Sequence, residues 1–165
     1  MSDFGPTDQR LRRVEARLPG FPVDAMRMVR MTNYLNKTFR DRTNALVRKY
    51  DLTDSSYTVL AILYGCVDES SSASELSESC REKPANLTRV CDELVARGLV
   101  DRSPKPGDRR SVVIKLSERG RALAEQVIPE VSEMVIAACS DFDPGELRRL
   151  CELYARLLDN LDGRA

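Results

Sequence analysis

The chain has 165 residues, about one domain's worth, and its 42% apolar and 32% charged residues exclude a disordered polymer in favour of a folded, helix-rich protein. It has no histidine, which removes the commonest metal ligand and the commonest general base together, and its five cysteines form no CxxC pair, an odd count that argues against a disulfide framework. Basic and acidic residues number 26 each, yet they are segregated: residues 1–49 carry eleven Lys/Arg against five Asp/Glu, 50–80 none against six, 81–121 eleven against six, and 122–165 four against nine. A neutral chain with basic blocks of this kind can still bind a polyanion locally. No apolar run approaches the roughly 18 residues of a membrane span, and MSDFGPTDQR lacks the apolar stretch of a signal peptide. The expectation is a cytoplasmic protein with no membrane partner.

The first twenty residues, ending in LPGFP, read as a loosely ordered leader with some helical character. From Val23 to about Tyr50, Val23, Met26, Val29, Leu35, Phe39, Leu46 and Val47 recur at roughly helical spacing. A second helix follows in LTDSSYTVLAILYG, with Thr53 or Asp54 as N-cap and Gly65 near its end. In the serine run that comes next, Ser72 stands three residues before Glu75, a capping-box spacing that predicts a short helix over 73–80. KPANLTRVCDELVARGLV predicts the clearest helix of the chain, with Pro84 in its first turn and Leu87, Val90, Cys91, Leu94 and Val95 as one stripe. Gly98 ends it.

VDRSPKPGDRRSVVIKL then predicts two short strands about a Pro-Gly turn, with Val112, Ile114 and Leu116 against Leu99 and Val100. Ser117 caps a helix that runs to about Cys139 and bends at Pro129. The last helix opens at DPGE, with Asp143 as N-cap and Pro144 at its first position. Its stripe of Leu147, Leu150, Cys151, Tyr154, Leu157, Leu158 and Leu161 is more apolar surface than a terminal helix of a monomer easily hides.

Three short helices followed by a hairpin is the order of a winged helix-turn-helix, whose third helix enters the major groove while the wing lies along the backbone or minor groove. The fold class is therefore mainly α with a small β-hairpin wing, flanked by long N- and C-terminal helices. On the third helix, Ala85, Asn86, Thr88 and Arg89 are short or polar enough to approach base edges, although Asn86 serves equally well as a structural cap. Arg109 and Arg110 stand at the wing tip, where a guanidinium can enter the narrow minor groove or grip a phosphate. Asp108 beside them can hold the wing's shape by pairing with one arginine. Ser72 and Ser74 are neutral phosphate-bonding candidates in an otherwise acidic stretch. The carboxylates of Asp92 and Glu93 are sequence neighbours that point apart on a helix, so they do not cooperate as an acid/base pair. Without a nucleophile-base pair, metal constellation or cofactor motif, an enzyme is not expected.

The stretch ELSESCREKPANLTRVCDELVARGLVDRSPKPGDRRSVVIKLSERG resembles the MarR family of bacterial transcriptional regulators. The signature positions are Gly98, Leu99, Arg102, Asp108, Arg109, Arg110, Leu116, Ser117 and Gly120, with serine at 117 where the family has threonine. The resemblance runs from about Val23 to Leu161 and implies an obligate homodimer on an inverted-repeat operator. It divides the chain into a leader and dimerisation helix at 1–50, a DNA-binding lobe at 51–117 and C-terminal dimerisation helices at 118–165. It also implies a repressor, with an efflux or catabolic operon as target, released from DNA by a small phenolic or amphipathic effector. For that effector it suggests Asn36, Phe39 and Arg40 on the long first helix and Tyr57, Leu60 and Tyr64 on the next. An alternative trigger is thiol oxidation at Cys66 or Cys80, whereas Cys91 and Cys151 read as buried packing residues. A winged-helix module that binds only protein is the remaining alternative.

Overall fold

The computed structural model describes residues 4–105 and 108–163, with side chains described outside 105–111. The elements in chain order are α1 (Gly5–Arg17), α2 (Val23–Val47), α3 (Asp54–Gly65), β1 (Ser70–Ser72), α4 (Ala73–Ser79), α5 (Pro84–Ala96), β2 (Val100–Lys105), β3 (Asp108–Leu116), α6 (Glu118–Ala138) and α7 (Pro144–Leu161). This is a mainly helical chain with a small antiparallel sheet in the order β1-β3-β2. By compactness it divides into two units, Met1–Ala124 and Glu125–Ala165. Among the described residues, no helix is long and apolar enough to cross a membrane.

The leader is not loosely ordered: it forms α1. Proline in its first turn suits a helix start, and Leu11 is buried. Asp8 accepts from Arg27 of α2 at 2.5 Å and from Arg12 at 3.1 Å, and these guanidinium hydrogen bonds hold its carboxyl below the usual range. The burial of Leu11, the Phe4–Tyr34 ring contact and the Asp8–Arg27 pair tie the leader to α2.

The first unit's core lies between α3, α4, α5 and the sheet. Val59, Leu60 and Leu63 of α3, Leu76 of α4, Leu87, Val90, Cys91 and Leu94 of α5, and Ile114 and Leu116 of β3 are all buried. Thr53, not Asp54, caps α3 through a reciprocal pair with Ser56. The chain turns from α4 to α5 in four residues, with Arg81 in the left-handed region at φ 51° and Ser77 Oγ donating to the Glu82 carbonyl at 2.7 Å. Gly98, at φ 66°, ends α5 while the Leu99 and Gly98 amides bond back to Leu94 and Val95. Arg97 clamps this end by donating to the carbonyls of Tyr50 and Asp51.

The wing differs from the sequence expectation in two ways. Val100 pairs with Leu116, Arg102 with Ile114 and Pro104 with Val112, so Leu99 lies outside the ladder. A third strand, β1, pairs Ser70–Ser72 with Val113–Lys115 across β3. Three serines carry no strand pattern, and only the free edge of β3 makes them one. Gly120, near the start of α6, packs against the carbonyl of Leu99: a Cβ there would lie 1.9 Å from that oxygen. Ser117 Oγ, which accepts from the Gly120 amide at 2.9 Å, donates to the Gly98 carbonyl at 2.7 Å, so cap and close approach belong to one junction.

The second unit holds most of α6, which runs through Pro129 without a break, and α7. Asp143 caps α7 with Glu146 in a capping box. No residue of α7 is buried, and Leu158 and Leu161 are 51% and 75% exposed. Cys151, expected to be buried, is likewise exposed.

Gly120→Ala is expected to destabilise the protein by at least about 2 kcal/mol, because the clash is with backbone and cannot be relieved by a rotamer. Gly65→Ala, with nothing within 4 Å of the added methyl, should change the thermal midpoint little. Equal midpoints for both variants would overturn this account of the α5–β2–α6 junction.

Candidate nucleic-acid interface

Helix α5 buries one face and leaves the other outside. With Leu87, Val90, Cys91 and Leu94 inside, Ala85, Thr88 and Arg89 are exposed and Asn86 is half-buried. Thr88 Oγ1 donates to the Pro84 carbonyl at 2.9 Å, leaving its methyl and a lone pair outward. Arg89 pairs with Glu93 and donates to Asn86 Oδ1 at 3.0 Å. Asn86 Nδ2 donates to Glu82 at 2.7 Å. Asn86 is thus neither a free reading group nor the helix cap, since the N-cap of α5 is Lys83, which makes no side-chain cap. In the first turn of α5, Pro84 carries no N–H, and the Asn86 and Leu87 amides bond the Lys83 carbonyl at 2.9 and 3.0 Å.

The wing braces this helix from below. Arg102 of β2 donates to Asp92 at 2.5 Å and to the Thr88 carbonyl at 3.1 Å, tying β2 to the outer turn of α5. Asp92, dismissed as half of a catalytic pair, has this bracing role, and Arg102 appeared in the sequence only as part of a motif. Burial pushes the Cys91 thiol beneath it upward, and Arg102 opposes that shift by a hydrogen bond. The side chains of Asp108, Arg109 and Arg110 lie outside the described residues; their backbone forms the start of β3.

The two serines differ in burial, although their hydroxyls lie 3.2 Å apart, within hydrogen-bond distance. Ser72 is buried, and its hydroxyl accepts from the Glu75 amide at 3.3 Å while bonding the Glu75 carboxylate at 2.7 Å. It is the N-cap of α4, with its oxygen occupied within the fold. Ser74 is exposed.

Beside the α4–α5 turn lies a cleft of about 450 Å³, lined by Asn36, Phe39 and Arg40 of α2, Asp54 and Ser55 of α3, and Cys80 to Glu82. Three of the six expected effector residues therefore come together here. The other three do not line it: Leu60 is core, Tyr57 is half-buried and Tyr64 sits on the surface. Burial, with a smaller contribution from Asp54, raises the Tyr57 hydroxyl above its ordinary range. Sequence reasoning missed Asp54, Arg81 and Glu82, because helical periodicity on one element says nothing of which turn packs opposite. Burial pushes the Cys80 thiol up to about 11, with help from Cys91 and Glu82, so it stays protonated at neutral pH and is a poor nucleophile toward oxidants. Cys66 closes α3 and is half-buried. Among the described residues, no group of His, Cys, Asp or Glu is placed to hold a metal ion.

A buried three-helix core, an outward-facing polar third helix and a sheet braced against it define a winged helix-turn-helix DNA-binding protein. The MarR family model matches residues 52–112. The chain is 26% identical to the transcriptional repressor MprA of Escherichia coli over 161 residues, 98% of this chain and 92% of that protein. It is 30% identical to the HTH-type transcriptional regulator YhbI of Bacillus subtilis over 118 residues, 72% of this chain and 75% of that protein. Among solved structures, a mutant of Escherichia coli MarR in complex with operator DNA superposes with a TM-score of 0.72 at 26% identity, covering 82% of this chain and 96% of that one. The chain belongs to the MarR family. It is a DNA-binding transcriptional regulator, as its relatives are, and not an enzyme.

Ser72→Ala is expected to lower stability by about 1 kcal/mol through loss of the α4 cap. Ser74→Ala, which loses only the contact with the Ser72 hydroxyl at 3.2 Å, should lower it less. Denaturant midpoints of the two variants check this, and an unaltered midpoint for Ser72→Ala would remove the capping assignment.

Proposed function

We propose that the protein acts as a homodimer that represses transcription from an inverted-repeat operator and is released by a small carboxylate- or phenol-bearing molecule. The observation that carries the DNA part is the face of α5: Ala85, Thr88 and Arg89 stand outward over an uncapped helix start while the opposite face is locked into the core. Arg89 is the base-reading or phosphate-reading side chain, with Thr88 offering its methyl and Ala85 the close approach. Ser74 and the wing residues Asp108, Arg109 and Arg110 complete the contact set in this reading. Residues 51–117 form the DNA-binding lobe in this reading.

The homodimer rests on α7. Its stripe of Leu150, Leu153, Leu158 and Leu161 is exposed, a contiguous apolar face on an otherwise acidic segment. A second copy covers it by two-fold symmetry, with 1–50 and 118–165 supplying the interface. Two reading helices about 34 Å apart then meet two half-sites one turn of duplex apart.

The cleft at Arg40 supports the effector part. Its volume suits a small aromatic acid, and Arg40, which pairs with Asp54 and lies near Glu82, is the cation that would take its carboxylate, with Phe39 in the same lining. Efflux or catabolic genes beside the regulator's own are the target in this reading. The thiol alternative at Cys66 and Cys80 draws no support from Cys80, whose thiol is protonated at neutral pH.

Titration of fluorescent duplex from the upstream intergenic region, at two salt concentrations and with salicylate, tests the whole reading. Arg89→Ala is expected to weaken binding about 10-fold or more and to flatten its salt dependence, because a cation leaves the interface. Unchanged affinity would remove α5 as the reader. Leu158→Asp is expected to shift the dimer to monomer by light scattering; an intact dimer would place the interface elsewhere.

A further inference from the structure

The cleft contains two cations, Arg40 and Arg81, and two carboxylates, Asp54 and Glu82. Arg40 bonds Asp54 at 3.0 Å and stands 3.7 Å from Glu82 Oε1. That same oxygen accepts from Ser55 Oγ at 3.0 Å, while Oε2 of Glu82 accepts from Asn86 Nδ2 at 2.7 Å. Asn86 Oδ1 accepts in turn from Arg89 at 3.0 Å. The Glu82 side chain is only 22% exposed, so solvent screens these contacts in part. A single carboxylate thus separates the cleft from the polar side chains at the start of the reading helix.

We propose that Glu82 is a positioning residue that carries occupancy of the cleft to α5: an anion that takes the Arg40 guanidinium turns Glu82 away and releases Asn86 from the orientation in which it holds Arg89. This rests on the reading of the cleft as an effector site and of α5 as the DNA reader. Of Arg40's two carboxylate partners, Glu82 is the more distant and so the first to yield to a ligand that engages the guanidinium fork. The coupling is reciprocal: DNA that fixes Asn86 and Arg89 favours the Arg40–Glu82 contact and lowers affinity for the anion by the same factor.

The test is a mutant cycle on the full chain, comparing Arg40→Gln, Glu82→Gln and the double variant. It is read by the ¹⁵N–¹H signals of the Asn86 side-chain amide, assigned by their loss in Asn86→Ala, and by binding to the upstream duplex. Arg40→Gln is expected to move the amide signals and weaken DNA binding about 5-fold or more. In the Glu82→Gln background, where a neutral amide oxygen still accepts from Asn86 without needing the cation, Arg40→Gln should do neither. Salicylate should shift the amide and release DNA from the unaltered chain. In Glu82→Gln it should still bind, followed by its own fluorescence, without either effect. Equal effects of Arg40→Gln in both backgrounds, or equal release of both proteins by salicylate, would overturn the relay. A coupled cycle in proteins that bind no salicylate would keep the relay and reject the carboxylate effector. A coupled amide response without DNA binding would keep the relay and reject α5 as reader.

Discussion

The burial of Leu87, Val90, Cys91 and Leu94 is the constraint on which the rest of the structure depends. These four side chains cover one face of α5 and lock it against α3 and α4, so the helix cannot rotate without exposing apolar surface. At roughly 25 cal/mol per Å² of apolar area, turning even one leucine outward costs on the order of 2 kcal/mol. The outward set of Ala85, Thr88 and Arg89 follows by geometry, because residues at helical spacing share a face. A regulator that reads a groove needs this rigidity, since a reading helix free to roll presents different groups on each encounter.

Around that core, polar contacts fix the ends that packing leaves loose. Arg97 ties the C-terminal end of α5 to the chain before α3, Arg102 ties its outer turn to the wing, and Glu82 holds its first turn through Asn86. These contacts are partly exposed, so each contributes modestly to stability. Their value is orientation. The close approach of Gly120 to the Leu99 carbonyl plays the same part for α6, setting where that helix leaves the wing. It is also the physical reason for glycine at this motif position.

The cleft and the reading face are neighbours because the α4–α5 turn is short. Arg81, in the left-handed region, precedes Glu82, which stands 3.7 Å from Arg40 of α2 and accepts from Asn86 in the first turn of α5. One side chain at this tight turn, Glu82, touches both Arg40 of the cleft and Asn86 of α5.

The sequence by itself determined the elements whose signals are local. Periodicity located α2, α5 and α7; capping residues located the starts of α3, α4 and α7; the Pro-Gly pair in the sequence located the hairpin; and the outward residues of α5 followed from its stripe. These are legible because a helix face, a cap and a turn are decided within a few residues. Only tertiary structure decided the rest. The serines of β1 became a strand because β3 offered an open edge, and α1 was ordered by Asp8 and Arg27, nineteen residues apart. Ser72 was withdrawn from the surface by its own cap, and the cleft drew Asp54, Arg81 and Glu82 to Arg40 while leaving Tyr57 and Tyr64 aside. In each case the deciding partner is distant in sequence, and no residue's own pattern records which segment will fold against it.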